Sequence, residues 1–193
     1  MASETALEAI RVAGETVGRA ALEAMERLES AHSVDAGVRA LRRVAPAVVG
    51  SGWRRELLAG RWLGHTFHAL LTDFVEGPWM AATFLDLFGP PGSAAAARRL
   101  LGFGLTVAPV AHLSGMADWE QAEDEGARRV GAAHAVAVSV ATALYAASYV
   151  ARRREHQNGA KMLGVAGGVV ALLDGYLGGH LSHVRGVAVG ERL

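Results

Sequence analysis

Two histidines three residues apart, His65 and His68, stand at the entrance of an apolar segment that runs on to Phe88. Residues three apart on a helix share a face, so the two imidazoles point the same way. Polar residues recur at helical spacing on roughly that face, namely Thr72, Glu76, Trp79 and Asp86. A protonatable stripe on an otherwise apolar helix is typical of a functional site when the helix lies in a membrane.

Later apolar segments carry three more histidines, His112, His134 and His180. If four segments cross the membrane up and down, counting inward from the flanking charges places these three and the first pair about 6–10 Å inside one face. Each of the four helices then contributes a histidine to one layer. The layer predicts a shared ligand site at this end of the molecule.

Haem b could occupy such a layer, because imidazole is its usual axial ligand and helical bundles commonly hold it. Segments one and three are diagonal in a simple bundle, so His68 with His134 is the preferred pair. His65, His180 and His112 are the other candidates. A haem also needs cations for its propionates and space for its ring, which these residues could supply: Arg61, Arg129, Gly131, Gly178 and Gly179.

Three other interpretations of the same histidines stay open. A zinc, copper or iron ion could bind to a set drawn from His65, His68, His134 and His180. Histidine and carboxylate side chains inside a membrane also mark proton relays. The simplest interpretation is that the histidines only form hydrogen bonds between helices. The residue types alone do not separate these chemistries.

Composition narrows the function without identifying it. The chain has 193 residues, a formal net charge of zero and no cysteine. Without cysteine there can be no disulfide framework, iron–sulfur cluster on thiolates or covalently attached c-type haem. No basic face stands out, so we expect no nucleic acid partner. Whether the protein is an enzyme is open. If it is one, we expect an oxidoreductase subunit that transfers electrons.

Four apolar segments position the histidines, and each is long enough to cross a bilayer. They cover residues 64–88, 100–117, 130–151 and 162–184. Small residues are frequent in all four, which favours close packing of helices in lipid. The predicted fold is therefore all-α, an integral membrane antiparallel four-helix bundle. A soluble bundle of alanine-rich helices is the less favoured alternative.

The chain before these segments has a different character. Residues 3–30 and 36–49 show helical periodicity with interspersed charges, which predicts an amphipathic helical extension over residues 1–50. It is expected to pack on the rest or to form a homo-oligomer, with binding to the membrane surface as the alternative. The transmembrane domain is then expected over residues 51–193.

Six motifs in order resemble the prokaryotic membrane family called domain of unknown function 2231, over about residues 53–190. They are Trp62-Leu-Gly-His65-x-x-His68, Leu71-Thr-Asp73, Leu85-Asp86-Leu87-Phe-Gly89, Gly115-Met-Ala-Asp118-Trp119, Arg128-Arg129-Val-Gly131-Ala-Ala-His134 and Tyr176-Leu-Gly178-Gly179-His180-Leu. The chain departs from the family pattern in having Thr66 and Ala69 where prolines are usual. Glu76 and His112 also replace residues that are usually apolar.

The resemblance implies a four-helix membrane domain and a role near electron transfer, since some relatives are fused to Rieske-type iron–sulfur domains. We therefore expect electron transfer through haem b to a quinone or to a Rieske-type or other redox protein. The expected location is the inner membrane, as a multi-pass protein in the lipid bilayer. A long charged N-terminus without a visible signal peptide favours a cytoplasmic position for the histidine-bearing face.

Overall fold

The computed structural model describes residues 2–188, with the side chains of residues 5–188, and its regular elements there are all helical. Short 3₁₀ turns precede the second and fourth helices, at His32–Val34 and Arg61–Leu63. The helices are α1 Ala2–Glu29, α2 Asp35–Val49, α3 Trp53–Ala59, α4 Phe67–Phe88, α5 Ala94–Trp119, α6 Glu125–Arg153 and α7 Gln157–His183.

Three of the described helices, α5, α6 and α7, are long and apolar enough to cross a membrane. They contain the predicted spans at 100–117 and 130–151 and nearly all of the one at 162–184. The helix α4 has 22 residues, which is sufficient length, but it carries Asp73, Glu76 and Asp86. The all-α class is thus confirmed for the described residues, and three helices qualify as spans by composition.

The helices α5 and α6 begin before their apolar segments, because helix-forming residues also precede those segments. An alanine run opens α5 at Ala94. Asp124 caps α6, and its side chain accepts the N–H of Ala127 at 2.7 Å. That hydrogen bond and the guanidinium of Arg185 lower the pKa of Asp124 below its usual range.

Packing is closest between α4 and α5 and between α6 and α7, with further contacts of α5 on α6 and of α4 on α7. The centre of this core holds Trp79 and Tyr145, whose ring centroids lie 4.7 Å apart. Gly104 makes room for the indole, since a Cβ there would overlap Trp79 Nε1. Small residues therefore let large aromatic rings fill the space between the helices.

A buried ion pair joins α4 to α6 at the end of the molecule away from His68. Arg152 Nη2 donates to Asp86 Oδ2, and the two side chains are 1% and 2% exposed. Arg152 follows directly after the third apolar segment, where a solvent-facing charge would be expected. Instead, the guanidinium is enclosed in the protein and fixes the register of α6 on α4.

The N-terminal helices dock on the histidine-bearing end. Val38 and Ala45 of α2 pack in one cluster with Trp119 of α5 and Ala132 of α6. Arg129 of α6 donates to Asp35 Oδ1 at 2.7 Å and to the carbonyl of Glu29 at 2.8 Å. In contrast, α1 is exposed over residues 5–20 and contacts the rest through its last turns. The division into domains at residue 50 stays a prediction.

Removing one partner of the Arg152–Asp86 pair should destabilise the protein. Asp86→Ala leaves a buried, unpaired guanidinium, and we expect a loss of about 3–5 kcal/mol in the free energy of unfolding. Unfolding of the purified protein in detergent micelles measures it. Asp73→Ala, an exposed carboxylate on the same helix, is the control and should have little effect. In the double variant Asp86→Leu/Arg152→Leu, much of the stability should return.

Docking of α2 should weaken in acid. The hydrogen bond from Arg129 lowers the pKa of Asp35 below its ordinary value of 3.8. The pair therefore stabilises the docked state above pH 3.8, and this contribution disappears as the pH falls through the lowered pKa. Hydrogen exchange of α2 measures docking. Exchange in Arg129→Gln should already be fast at neutral pH and should lose this acid dependence.

Candidate cofactor site in the histidine cavity

A cavity of about 480 Å³ lies among α4, α5, α6 and α7, and Leu41 of α2 contributes to its wall. Its volume is in the range of roughly 300–1,000 Å³ that is usual for ligand and cofactor sites. Most of the lining surface is apolar. Its ionisable lining residues are His68, Glu76, His112, Asp118, His134 and Asp174. The cavity is thus an apolar chamber with a few convergent polar groups.

His68 is held at the first turn of α4 by two elements. Thr66 caps the helix and accepts the N–H of His68 at 3.2 Å. The ring lies against Gly115, where a Cβ would come within 2.8 Å of His68 Cε1. Its Nδ1 donates to the carbonyl oxygen of Ala111 at 3.0 Å, because a carbonyl can only accept. The lone pair of a neutral His68 is therefore on Nε2.

His134 of α6 is held in the same way by α7. Its Nδ1 donates to the backbone carbonyl of Asp174 at 3.3 Å and lies 2.7 Å from Oδ1 of the same residue. Asp174 is 1% exposed. A carboxylate behind an imidazole fixes the tautomer and makes the other nitrogen a better ligand. The described contacts of His134 engage Nδ1, so Nε2 carries the lone pair in the neutral ring, as in His68.

The two rings approach each other edge-on from different helices. The ring centroids of His68 and His134 lie 6.3 Å apart, and their planes are nearly perpendicular at 82°. Gly178 borders the His134 ring, since a Cβ there would lie 3.3 Å from Cε1. Two imidazoles with matched tautomers thus share one chamber.

His112 also lines the chamber but differs in which nitrogen is engaged. Thr142 donates its hydroxyl proton to the carbonyl of Val138 at 2.7 Å. Its oxygen then accepts from His112 Nε2 at 3.3 Å. His112 therefore joins α5 to α6 through a hydrogen bond between side chains, and its Nε2 carries the proton.

The structure does not bring His65 and His180 into the chamber. His65 is exposed and lines a separate pocket of about 340 Å³. His180 is 8% exposed, but its Nε2 lies 2.8 Å from Glu29 Oε1 of α1. Helix α7 therefore directs Asp174 toward His134 and turns His180 toward the N-terminal helices.

The expected rim residues also have other partners. Arg61 Nε lies 3.0 Å from Glu56 Oε2, and Arg129 binds Asp35. Arg61 lines the 340 Å³ pocket, whereas Arg129 borders neither cavity.

The space that the glycines were expected to leave for a haem ring is only partly free. The position beside Gly131 is filled, because a Cβ there would overlap Cδ1 of the Trp119 indole. Gly179 also lines the chamber, and a Cβ on this residue would meet no neighbouring atom within 4 Å. Of these two glycines, Gly179 therefore leaves open space at the chamber wall.

Thr66 and Asp118 stand where the two cavities adjoin, since both residues line both of them. Thr66 donates its hydroxyl to Asp118 Oδ2, which ties the entrance of α4 to the end of α5. The other carboxylate oxygen of Asp118 is buried without a hydrogen-bond partner. Sequence reasoning noted Thr66 only as a departure from a proline, and this pairing explains what threonine does there.

The donor set distinguishes between cofactors. Among the described residues there is no group of three or more His, Asp or Glu placed to hold a metal ion. A zinc site generally uses three or four protein ligands, whereas haem iron needs only one or two. The paired imidazoles and the apolar wall therefore fit a haem better than a small ion.

One protein family matches the part of the chain that contains this chamber. The family described as predicted membrane protein (DUF2231) matches residues 64–191. The chain belongs to the DUF2231 family. No curated protein and no solved structure matches this chain.

The DUF2231 segment contains α4 to α7 and nearly all of the chamber wall. It starts at residue 64, later than the start near 53 that the motifs suggested. The helices α1, α2 and α3 lie before it, so Leu41 and the contacts of Glu29 and Asp35 are additions to the family's segment. With a family of predicted membrane proteins and three candidate spans, the protein is a multi-pass membrane protein in a lipid bilayer.

Gly115→Ala should disturb the chamber through His68. The new methyl group would overlap the imidazole ring, which the Ala111 carbonyl holds in place, and overpacking of this kind costs about 1–3 kcal/mol. Thermal unfolding of the purified protein measures the loss. Gly179 lines the same cavity with nothing nearby, so Gly179→Ala should keep stability or raise it slightly, because alanine favours a helix more than glycine does. Equal melting temperatures for the two variants would contradict this packing of His68.

Proposed function

We propose that this protein holds one b-type haem between His68 of α4 and His134 of α6 and takes part in electron transfer. The observation that carries the proposal is the pair of imidazoles that approach each other edge-on in one apolar chamber, each with Nδ1 engaged. That arrangement leaves Nε2 of each ring as the available ligand atom.

The separation of the rings supports the pairing. Two imidazoles that bind one metal atom through nitrogen, at about 2 Å each, have ring centres roughly 6 Å apart. The observed distance is 6.3 Å. The Ala111 carbonyl and Asp174 would hold the two rings in orientation, and Asp174 would make His134 the more basic ligand.

The membrane arrangement proposed with it is an antiparallel bundle in which α4 is the fourth span. Short connections at 89–93, 120–124 and 154–156 favour neighbouring helices that run in opposite directions. Asp86 does not oppose insertion, because Arg152 neutralises it inside the protein. Location in the inner membrane, with the histidine-bearing face on the cytoplasmic side, stays a prediction.

A bound haem supplies one-electron transfer. The chain's own residues supply ligation, orientation and a mostly apolar wall around the site. Arg61 and Arg185 line the adjoining pocket, where carboxylate groups extending from the chamber would meet them. The electron donor or acceptor would be a quinone or a separate redox protein, such as one with a Rieske-type domain.

Proton handling is the second candidate, and one observation favours it. Glu76 and Asp174 line the same chamber as three histidines, so carboxylates and imidazoles converge inside the membrane. This function requires no cofactor. A binding site for zinc, copper or iron without porphyrin is less favoured, because the described residues lack a set of three ligands.

The optical spectrum of the purified protein tests the proposal. After expression with added haem precursor, we expect a Soret band and about one haem per chain. His68→Ala and His134→Ala should each abolish or shift that band. His65→Ala and His180→Gln are matched controls from outside the chamber and should retain it.

Two results would contradict the proposal. One is a wild-type protein that takes up no haem even after reconstitution, which would leave proton handling as the function to examine. The other is a full Soret band of unchanged position in the double variant His68→Ala/His134→Ala, which would place any haem on other ligands.

A further inference from the structure

Helix α1 presents an apolar face that nothing in the described structure covers. Leu7, Ile10 and Val17 are 66%, 69% and 68% exposed. Only the last turns pack on the body, where Met25 is buried and Glu29 contacts His180. The rest of the helix, residues 5–20, is exposed throughout.

The exposed residues follow a heptad repeat. Positions a and d, spaced alternately by three and four residues, hold only apolar or small side chains over three heptads. Position g is alanine in each of them. Charged residues occupy mainly the outer positions b, c and f. The a and d positions are Leu7, Ile10, Gly14, Val17, Ala21 and Ala24, and the g positions before them are Ala6, Ala13 and Ala20. The repeat ends there, because Arg27 is at the next g position and Leu28 packs against the body of the protein.

A lone helix of this composition gains little from propensity alone. Helical stability in water comes mainly from packing of an apolar face, and isolated helices are marginal. A 28-residue helix with glycine at positions 14 and 18 therefore needs a surface to cover its stripe. The stripe is narrow and heptad-spaced, as in a coiled-coil seam, and not the wide face of a helix that lies on lipid.

The charges of α1 argue against the membrane surface as that cover. Arg11 lies 2.6 Å from Glu8 and 2.5 Å from Glu15, so its charge is balanced within the helix. Helices that bind anionic lipid carry an excess of basic residues on the polar face. Here the exposed part carries Glu8 and Glu15 against Arg11 and Arg19. Little attraction to lipid headgroups follows.

We propose that α1 pairs with α1 of a second copy of this chain in a parallel coiled coil. Two copies in one membrane carry α1 on the same side, so the two helices can meet. In that register Arg11 at position e faces the alanine at position g of the second copy, so no like charges meet. Gly14 and Ala21 in the seam let the two backbones approach closely.

Disulfide trapping in the full-length protein tests this pairing, because the chain has no cysteine of its own. Ile10→Cys and Val17→Cys place one thiol in the seam. Val12→Cys is the matched control, since Val12 is also an exposed valine but lies at position f on the outer face. In nanodiscs or native membranes under mild oxidation, we expect roughly tenfold more covalent dimer from the two seam variants.

A second measurement tests the dimer without depending on disulfide formation. Native mass spectrometry in detergent should show a dimer of the wild type. Val17→Asp should convert it to monomer, whereas Val12→Asp should not. A monomeric wild type, or equal crosslinking from all three cysteine variants, would overturn the proposal. A fluorophore on the thiol of Val17→Cys that lipid-borne quenchers reach would overturn it in favour of the membrane surface.

Discussion

Pairing of ionisable groups inside apolar helices is the constraint on which this structure depends. An unpaired charge is costly in the apolar interior of a membrane protein, and two such groups here meet partners from other helices. Asp86 meets Arg152 between α4 and α6, and Asp174 meets His134 between α6 and α7. These two pairs fix how α6 is rotated relative to its neighbours. The chamber is the space that remains at the histidine-bearing end once that rotation is set.

Sequence alone predicted much of the fold, because apolar length, small residues and helix stops are local signals. The helical class and the membrane environment follow from them, whereas the family follows from the six motifs. The helices α5 and α6 begin before the apolar windows at residues 100 and 130, since a helix starts at its cap and helix-forming residues and not where hydropathy rises. Alanines at 94–97 and a cap at Asp124 extend these helices beyond any hydropathy limit.

The sequence suggests a depth for each histidine of the site, but it does not give the direction in which the side chain points. Counting from flanking charges can place His134 and His180 near one membrane face, yet each residue along a helix turns the side chain by about 100°. Which way a histidine points depends on helix rotation, and that depends on pairs distant in sequence. Nothing local to His180 indicates Glu29, which lies in a different helix outside the family's segment. Likewise, nothing near Asp174 names His134 as its neighbour.

The packing of α2 beside the chamber has a consequence for how proteins of this family diversify. Leu41 borders the cavity and Arg129 anchors α2, yet α2 lies before residue 64, where the family match begins. Part of the surface that borders the imidazoles is therefore encoded outside the family's segment. Changes in the extension could alter access, partner choice or exchange with solvent while leaving the histidine chamber and its supporting helices intact.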